Sequence, residues 1–145
     1  MPNGKDLQEI FMFSTKGRYA LRVMIDLAQQ SEHTKEEFIP LKDIAERQDI
    51  SKKYLECIAK ELVKGGMIVG TSGKHGGYKL LRSPDAYSVG EIIALMEGTI
   101  APVACLAECA KACPRAEKCR TLPMWTEFYE LERNFFYGKK LSDLI

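Results

Sequence analysis

Four of the chain's five cysteines fall within the segment CLAECAKACPRAEKC, which runs from position 105 to position 119. Cysteine thiolates bind metals and exchange disulfides, so such a dense group predicts a metal site or a redox-active site. In a reducing compartment, clustered cysteines are more often metal-binding or redox-active than structural. The candidate ligands are Cys105, Cys109, Cys113 and Cys119.

The spacing of these cysteines indicates a loop. Cys105, Cys109 and Cys113 recur every four residues. On an unbroken helix they would form a stripe with neighbours about 6 Å apart, which is too spread for one small ion. Metal binding therefore requires a loop, and Pro114 is consistent with one. Basic residues in the segment favour the thiolate form, namely Lys111, Arg115, Lys118 and Arg120.

Four thiolates suit an iron–sulfur cluster and equally suit tetrahedral zinc. The intervals of three, three and five residues between the cysteines match neither of the usual paired CxxC zinc patterns. Metal-free thiol or disulfide chemistry is a third alternative. Cys57 lies apart from the segment and is expected at the edge of the core.

The composition is that of an ordinary folded protein, with 145 residues of which 46% are apolar and 28% charged. No apolar run approaches the roughly 20 residues that a bilayer span needs, and no basic-then-apolar leader opens the sequence. We therefore expect a cytoplasmic protein without membrane contact. The net charge is only +1, but residues 52–82 carry seven basic and two acidic side chains, a local charge of +5. This distribution fits a phosphate-facing surface, although a merely solvated face has the same composition.

Hydrophobic periodicity predicts the helices that precede and carry this basic region. A first helix is expected over 16–30, followed by a polar loop over 31–38 and a short helix over 41–48. Ser51 is the expected cap of a helix over 52–64, and the glycine pair that follows ends it. That helix has apolar residues at helical spacing, namely Leu55, Ile58, Ala59, Leu62 and Val63.

Two short strands, 67–72 and 78–82, are predicted on either side of the glycine-rich tip GKHGG. Ser88 and Glu91 form a capping box at the start of another helix, which ends at Gly98. Helix, short helix, turn, helix and hairpin make a winged helix-turn-helix, a mainly α fold with a small β-hairpin wing. The second helix of the pair fits a DNA major groove, where its first residues, SKKYLE, would reach base edges.

The longest helical pattern spans 121–137 and has apolar residues on more than one side. A terminal helix of this kind needs two neighbours, so we expect it to form a homodimer, or otherwise to fold back on its own domain. The expected organisation is a flexible tail at 1–11, a winged helix-turn-helix domain at 12–98, a cysteine-rich sensor loop at 99–120, and a dimerisation helix with its tail at 121–145.

Three segments, STKGRYALRVMIDLA, ISKKYLECIAKELVKGGMI and GGYKLLRSPDAYSVGEIIALMEG, resemble the Rrf-two family of bacterial transcription regulators. This family includes the IscR, NsrR and CymR types, and the resemblance covers residues 12–145 in the family order. It implies a dimeric, winged helix-turn-helix protein that binds double-stranded DNA at a pseudo-palindromic operator. Many members carry an iron–sulfur cluster.

The resemblance places the base-contacting positions on Lys53, Tyr54 and Glu56, with Ser51 at the helix start and Lys52 beside them. Glu56 could accept a hydrogen bond from a cytosine amino group, and Tyr54 could contact phosphate or sugar. In the wing, many members have an arginine where this chain has Ser72, followed here by Lys74 and His75. Lys74 could replace that charge one step further out.

Cluster-bearing members have three cysteines, which the resemblance matches to Cys105, Cys113 and Cys119, with Cys109 as an extra one. The histidine ligand of the IscR type falls on Leu122, and the aspartate ligand of the NsrR type falls on Arg18. Cys109 is therefore the natural fourth ligand. The resemblance makes a 2Fe–2S or 4Fe–4S cluster that modulates DNA affinity the leading interpretation. The alternative is a cluster-free, CymR-like regulator that senses thiol redox state, a metabolite or a partner protein.

Other function classes lack support. An enzyme needs convergent acid–base groups, but His33 and His75 lie in predicted loops and no nucleophile motif accompanies them. The segment GKHGG lacks the lysine-serine ending of a P-loop. A small redox carrier would not need a basic helix-turn-helix. We therefore expect a regulator and not an enzyme.

Overall fold

A computed structural model describes residues 13–33 and 37–145, and over these ranges it has five α-helices and one hairpin. The predicted flexible tail at 1–11 lies outside the described residues. In chain order the elements are α1 (Thr15–His33), α2 (Leu41–Gln48), α3 (Lys52–Lys64), β1 (Ile68–Thr71), β2 (Gly77–Leu80), α4 (Val89–Glu97) and α5 (Leu122–Gly138). This mainly α architecture with a small wing confirms the predicted fold class.

Helix α1 begins against the end of α4. Glu97 Oε1 accepts hydrogen bonds from the Ser14 backbone N–H at 2.8 Å and from the Ser14 hydroxyl at 2.7 Å. Gly17 permits this approach, because a Cβ atom there would come within 2.4 Å of the Glu97 carboxylate. The helix continues to His33, so the predicted loop is wrong for residues 31–33. Ser31 fits the helix because its hydroxyl donates to the Ala28 carbonyl at 2.7 Å.

The main core lies between α1, α2, α3 and α4, and its largest aliphatic residues are fully buried. They include Met24, Leu27, Ile44, Leu55, Ile58, Leu62 and Ile92. Val63, which is one of the five apolar residues at helical spacing on α3, is 40% exposed. It follows Leu62 by one residue, which rotates it by about 100° around α3 and away from the buried stripe.

A buried carboxylate fixes α2 to α1. Asp26, which is 1% exposed, accepts hydrogen bonds from Arg47 Nε at 3.0 Å and Nη2 at 2.8 Å. Gln48 Nε2 donates to the same carboxylate at 3.0 Å. The chain then turns at Asp49 in the left-handed conformation, with φ at 53°. The Ser51 hydroxyl accepts the Tyr54 N–H at 3.2 Å, which confirms the predicted cap of α3.

The wing is fixed at its base and along its inner edge. Strands β1 and β2 pair antiparallel, and Tyr78 of β2 exchanges two backbone hydrogen bonds of 2.8 Å with Ile39. Gly77 allows this close approach, because a Cβ atom there would come within 2.3 Å of the Ile39 carbonyl. The Tyr87 hydroxyl accepts the N–H groups of Leu81 and Arg82 and donates to the Met67 carbonyl at 2.6 Å. The hairpin is therefore held against the helical core.

Helix α5 packs on α4, and the chain after it returns to the core. The contact between α4 and α5 is an apolar seam whose buried members are Val89, Ile93, Ile100 and Tyr129. Leu141 is fully buried, and its N–H donates to the Tyr87 carbonyl at 3.0 Å. None of the helices in the described ranges is long and apolar enough to cross a membrane.

Candidate nucleic-acid interface and cysteine loop

The first turns of α3 present an exposed polar surface on a buried base. Leu55 and Ile58 are fully buried and fix the helix on the core. The predicted DNA-contacting residues on this helix are all exposed, namely Ser51, Lys52, Lys53, Tyr54 and Glu56. A rigid helix of this kind can present the same side chains to a groove without prior rearrangement.

Tyr54 is supported from α1. Its ring packs edge-to-face on the Tyr19 ring with 5.7 Å between the ring centroids. The Arg22 guanidinium lies 5.3 Å from the Tyr19 ring centroid and is also tied to Gln48 by a hydrogen bond of 3.2 Å. Tyr54 remains 36% exposed, so a ring packed at the core edge still has surface available for a phosphate or sugar contact.

A groove of about 590 Å³ runs between the start of α2, the start of α3 and the wing. It brings together three predicted residues, Lys52, Glu56 and Ser72, with the wing glycines. Lys42 of α2, which was not among the predicted residues, also lines the groove. Its position in the first turn of the helix before α3 is the signal that could have found it.

The tip of the wing lines a separate cavity. Lys74 and His75 border a space of about 430 Å³ together with Glu37 and Asp43. Both wing residues are exposed. The predicted DNA-contacting set is thus divided, because Ser72 faces the groove while Lys74 and His75 lie beyond it.

Two basic residues of the 52–82 region are engaged within the fold. Lys79 pairs with Glu37, and Arg82 donates to Glu91 Oε1 at 2.6 Å. The Arg82 guanidinium also lies 4.1 Å from the centroid of the Tyr87 ring. The local charge of +5 therefore overstates the charge available to phosphate. The exposed lysines of the region are Lys52, Lys53, Lys60, Lys64 and Lys74.

The cysteine loop, residues 99–121, joins α4 to α5 through two short 3₁₀ turns, Ala104–Leu106 and Ala116–Lys118. Three of its thiol residues are exposed and Cys119 is half-buried, and all four thiols are free. Among the described residues, no three histidine, cysteine or acidic side chains lie close enough together to hold a metal ion. The structure therefore places the four predicted ligands on one loop but does not bring them together.

Cys119 lies next to the start of α5, and its environment favours the thiolate. Its sulfur is 3.5 Å from the Thr121 hydroxyl. The Thr121 side chain and then the Thr121 backbone lower the pKa of the Cys119 thiol, and Arg115 has a smaller effect. Hydrogen bonding thus contributes more than the basic residues that the sequence suggested, because exposed charges are screened by solvent.

Cys57 is exposed on α3, so its expected place at the core edge is wrong. It precedes the buried Ile58 by one residue, and the rotation of about 100° per residue turns it outward. Cys57 lies on α3 and is therefore separate in the fold from the cysteine loop.

Glu108 links the cysteine loop to α5. Its carboxylate accepts a hydrogen bond from the Tyr129 hydroxyl at 2.5 Å, and this bond holds the pKa of Glu108 below its ordinary value. Burial, followed by the hydrogen bond to Glu108, raises the pKa of Tyr129. The hydrogen bond between Glu108 and Tyr129 therefore connects the cysteine loop to α5.

The donor set of the loop suits a thiolate-bound metal centre. Cys105, Cys109, Cys113 and Cys119 provide four sulfur donors, and the first three are exposed on a chain with only single-turn structure. Short turns can rearrange at small cost compared with a helix. The residues therefore fit an iron–sulfur cluster or zinc in their chemistry, and they require the loop to close.

Comparison with known proteins supports these structural observations. The Rrf2 family, described as iron-dependent transcriptional regulators, matches residues 13–145. Protein rrf2 of Nitratidesulfovibrio vulgaris is 40% identical over 114 residues, which cover 79% of this chain and 73% of that protein. The HTH-type transcriptional regulator IscR of Erwinia tasmaniensis is 34% identical over 132 residues, which cover 91% of this chain and 77% of that protein.

A solved structure has a similar fold. CymR, the global cysteine regulator of B. subtilis, superposes with a TM-score of 0.71 at 33% sequence identity. The superposition covers 91% of this chain and 94% of CymR. The similarity therefore extends over most of both chains.

Proposed function

This chain belongs to the Rrf2 family of transcriptional regulators, and from that premise we propose that it binds a pseudo-palindromic operator in double-stranded DNA as a homodimer. Membership confirms the predicted family, and regulators of transcription are not enzymes, as predicted. A metal centre on the cysteine loop is proposed to modulate the affinity for DNA. The protein would act in the bacterial cytoplasm.

The groove beside α3 is the observation that carries the DNA-binding proposal. Glu56, Lys42 and Lys52 all line it, so in the proposed complex Glu56 would contact a base edge and the two lysines would contact phosphates. A carboxylate repels phosphate, so Glu56 has a place in this groove only as an acceptor for a base amino group such as that of cytosine. The backbone of the glycine-rich wing can approach the sugar-phosphate backbone because it carries no large side chains.

Helix α5 supports the homodimer. One side packs on α4, while a second apolar stripe is exposed and consists of Met124, Phe128, Leu131 and Phe135. Leu131 is 64% exposed and Phe135 is 57% exposed. Contiguous apolar surface of this kind is typical of an interface, and a second copy of α5 would cover it symmetrically. Two recognition helices would then bind two half-sites together.

We propose the organisation expected from the sequence, with a winged domain at 12–98, a sensor loop at 99–120 and a dimerisation segment at 121–145. In the sensor loop, Cys105, Cys109, Cys113 and Cys119 would hold a 2Fe–2S or 4Fe–4S cluster, with zinc as the other metal that fits. When bound, such a cluster would make the regulator respond to oxidants, which attack the cluster, and to the availability of iron, which the cluster needs to form. The loop connects α4 to α5, so its closure would change how the two recognition helices are spaced.

A cluster-free regulator is the second candidate. It is favoured by the similarity to CymR and by the lowered pKa of the Cys119 thiol, which suits thiol redox chemistry. In that case the four thiols would respond by oxidation or by contact with a metabolite or a partner protein. Both candidates share the same DNA-binding surface.

The DNA-binding proposal is tested by selecting an operator from random DNA and comparing Glu56→Ala with Lys53→Ala. Glu56→Ala should lose about 1–3 kcal/mol of base discrimination at one position in each half-site. Lys53→Ala should weaken binding to all sequences alike and flatten the salt dependence by about one released ion. Equal behaviour of both variants across operator mutants would contradict the assignment of α3 as the reading helix.

The sensor proposal is tested by anaerobic purification with an absorption spectrum and with iron and sulfide assays. Cys105→Ala, Cys113→Ala and Cys119→Ala should each abolish the cluster absorption and shift operator affinity by the same factor, about five- to 150-fold. Cys109→Ala tests the fourth ligand. Iron-free protein whose four variants bind the operator like the parent would favour the cluster-free candidate.

A further inference from the structure

Glu108 lies between Cys105 and Cys109 and joins the middle of the cysteine loop to α5 and to the first residue of the loop, which follows the end of α4. Its Oε1 atom accepts from the Tyr129 hydroxyl at 2.5 Å, and its Oε2 atom accepts from the Thr99 hydroxyl at 2.8 Å. Thr99 follows the end of α4, and Tyr129 of α5 is only 8% exposed within the apolar seam. One carboxylate therefore bridges three segments of the chain.

The remaining loop contacts are local or apolar. Within the described part of the chain, the backbone hydrogen bonds of residues 103–119 close turns inside the loop. Leu106 packs against the seam between α4 and α5. Among the described residues, two side-chain hydrogen bonds connect residues 103–118 with the rest of the chain. Glu108 makes both of them, with Thr99 and with Tyr129. Leu106 and Glu108 thus hold the loop in place.

The two hydrogen bonds of Glu108 oppose the loop closure that metal binding requires. The Cys105 and Cys109 thiols are exposed, and no three potential metal ligands among the described residues lie together. For the four thiols to share one centre the loop must rearrange, and a movement of Cys109 in that rearrangement would carry Glu108, its immediate neighbour in the chain. The partners of Glu108 cannot follow that movement, because Tyr129 is packed in the seam and Thr99 adjoins α4.

We propose that Glu108 is a latch that holds the cysteine loop open against α5 and the end of α4, and that it releases when Cys105 and Cys109 gather round a metal centre. The inference rests on the proposed metal-binding function of the loop. Glu108 acts here as a positioning residue, because its effect is exerted through the cysteines and not through contact with the metal.

The latch makes a directional prediction. A hydrogen bond that exists only while the loop is open must break before the metal binds. It therefore lowers the metal affinity by the same factor by which it favours the open loop over the closed loop. Removing it should therefore tighten metal binding. A residue that merely maintained the structure of the site would have the opposite effect, since its removal would weaken binding.

The test uses Tyr129→Phe, which removes the donating hydroxyl and keeps the buried ring. Under reducing, anaerobic conditions, Co²⁺ is titrated as the probe, and thiolate-to-metal absorption is followed. Tyr129→Phe should bind Co²⁺ about three- to tenfold more tightly than the parent, the range expected for the net loss of one partly buried hydrogen bond. Glu108→Gln, which can still accept a weaker bond, should show a smaller change in the same direction.

A second readout does not depend on metal. Lys111 and Arg115 are exposed trypsin sites beside the latch. In protein without added metal, Tyr129→Phe should be cleaved there about three- to tenfold faster, because release of the latch populates cleavable conformations of the loop. Tyr137→Phe is the matched control, since it removes a hydroxyl from the same helix away from Glu108, and it should match the parent in both assays.

The outcomes separate the latch from the proposed function. Unchanged cleavage of Tyr129→Phe would show that Glu108 does not hold the loop, and the latch would be wrong. Faster cleavage with unchanged or weaker Co²⁺ binding would show that the tie does not oppose closure, which also overturns the proposal. A parent protein with no affinity for Co²⁺ or iron would contradict the metal-binding function, and the cleavage rates would still decide whether the latch exists.

Discussion

The surface around α3 and the cysteine loop differ in how they are held. Helix α3 rests on fully buried side chains, and the helix before it is fixed by three hydrogen bonds to the buried Asp26. The cysteine loop has two single 3₁₀ turns and local backbone hydrogen bonds, and three of its four thiol residues are exposed. The surface around α3 is preformed, whereas the cysteine loop would have to rearrange to bring its four thiols together.

Under the proposed function, this difference gives the two regions separate tasks. A preformed helix can bind DNA with little ordering of its own side chains, so its affinity depends on how two copies are placed. A loop with few tertiary contacts has a low cost of local opening and can respond to small chemical signals. A regulator with both can change its affinity through the loop while its base-contacting surface stays constant.

The largest expected effect tests whether stability resides in the winged part and not in the loop. Asp26→Ala should lower the free energy of unfolding by about 2–4 kcal/mol, because it removes a buried carboxylate that accepts three hydrogen bonds. Cys109→Ala should change it by less than about 0.5 kcal/mol, since that residue is exposed. Urea unfolding followed by circular dichroism measures both.

Asp26→Asn refines this result, because the amide keeps the shape and one acceptor while it loses the charge. It should lie between the parent and Asp26→Ala. Similar losses of stability for Asp26→Ala and Cys109→Ala would show that the loop is part of the same cooperative unit, and the contrast between the two regions would disappear.

Where local signals agreed with tertiary packing, the sequence predicted the structure closely. Helix α3 has the predicted bounds, because the Ser51 cap and the glycines after Lys64 mark its ends chemically. The capping box of Ser88 and Glu91 was likewise predicted and is present. Local signals of this kind are sufficient because they involve residues only a few positions apart.

Features that depend on distant residues could not be predicted in the same way. Lys79 and Arg82 looked available for phosphate until the structure paired them with Glu37 and Glu91. The orientation of Cys57 depends on which face of α3 meets the core. The positions of the loop cysteines depend on contacts such as that between Glu108 and Tyr129, and periodicity carries no information about these.

The second prediction concerns the helix that connects the two regions. Leu131→Glu combined with Phe135→Glu places charges on the exposed apolar stripe of α5 and should give monomers. Operator affinity should fall by about 100-fold, because the second half-site is then no longer bound in the same complex. Sedimentation equilibrium and a gel-shift titration measure these changes. Glu130→Lys, on the same helix outside the stripe, should remain dimeric, and a dimeric double variant would rule out this interface.

The third prediction concerns a buried charge on the inner side of α5. Glu132 is 7% exposed, neither carboxylate oxygen has a hydrogen-bond partner among the described residues, and burial raises its pKa. Its folded pKa lies above its unfolded value of about 4.3, so stability is lost as the pH rises above that value. Glu132→Leu should therefore stabilise the fold by about 1–2 kcal/mol at pH 7.

The stabilisation by Glu132→Leu should diminish towards pH 4, where the carboxyl of the parent is protonated. Thermal unfolding across this pH range measures it. Glu130→Leu, at an exposed position on the same helix, is the control and should give no pH-dependent gain. An equal gain for Glu132→Leu at both ends of the range would mean that the benefit comes from apolar packing and not from removal of the charge.

The smallest expected effect refines the preformed surface itself. Lys42 lies in the first turn of α2 and lines the groove together with Lys52 and Glu56. If it contacts a phosphate, Lys42→Ala should weaken binding to all operators by a similar factor, about two- to tenfold. The slope of log affinity against log salt concentration should fall by about one. Fluorescence anisotropy at several salt concentrations measures both quantities.

Lys60→Ala is the matched control, because Lys60 is an exposed lysine on α3 that does not line the groove. The two variants have the same net charge, so a general electrostatic effect would weaken binding equally in both. A steeper loss for Lys42→Ala would locate the phosphate contact at the start of α2, where the N–H groups of the first helical turn also favour an anion. Equal losses of affinity for Lys42→Ala and Lys60→Ala would contradict a phosphate contact at Lys42. The proposed DNA-binding surface would then consist of α3 and the wing alone.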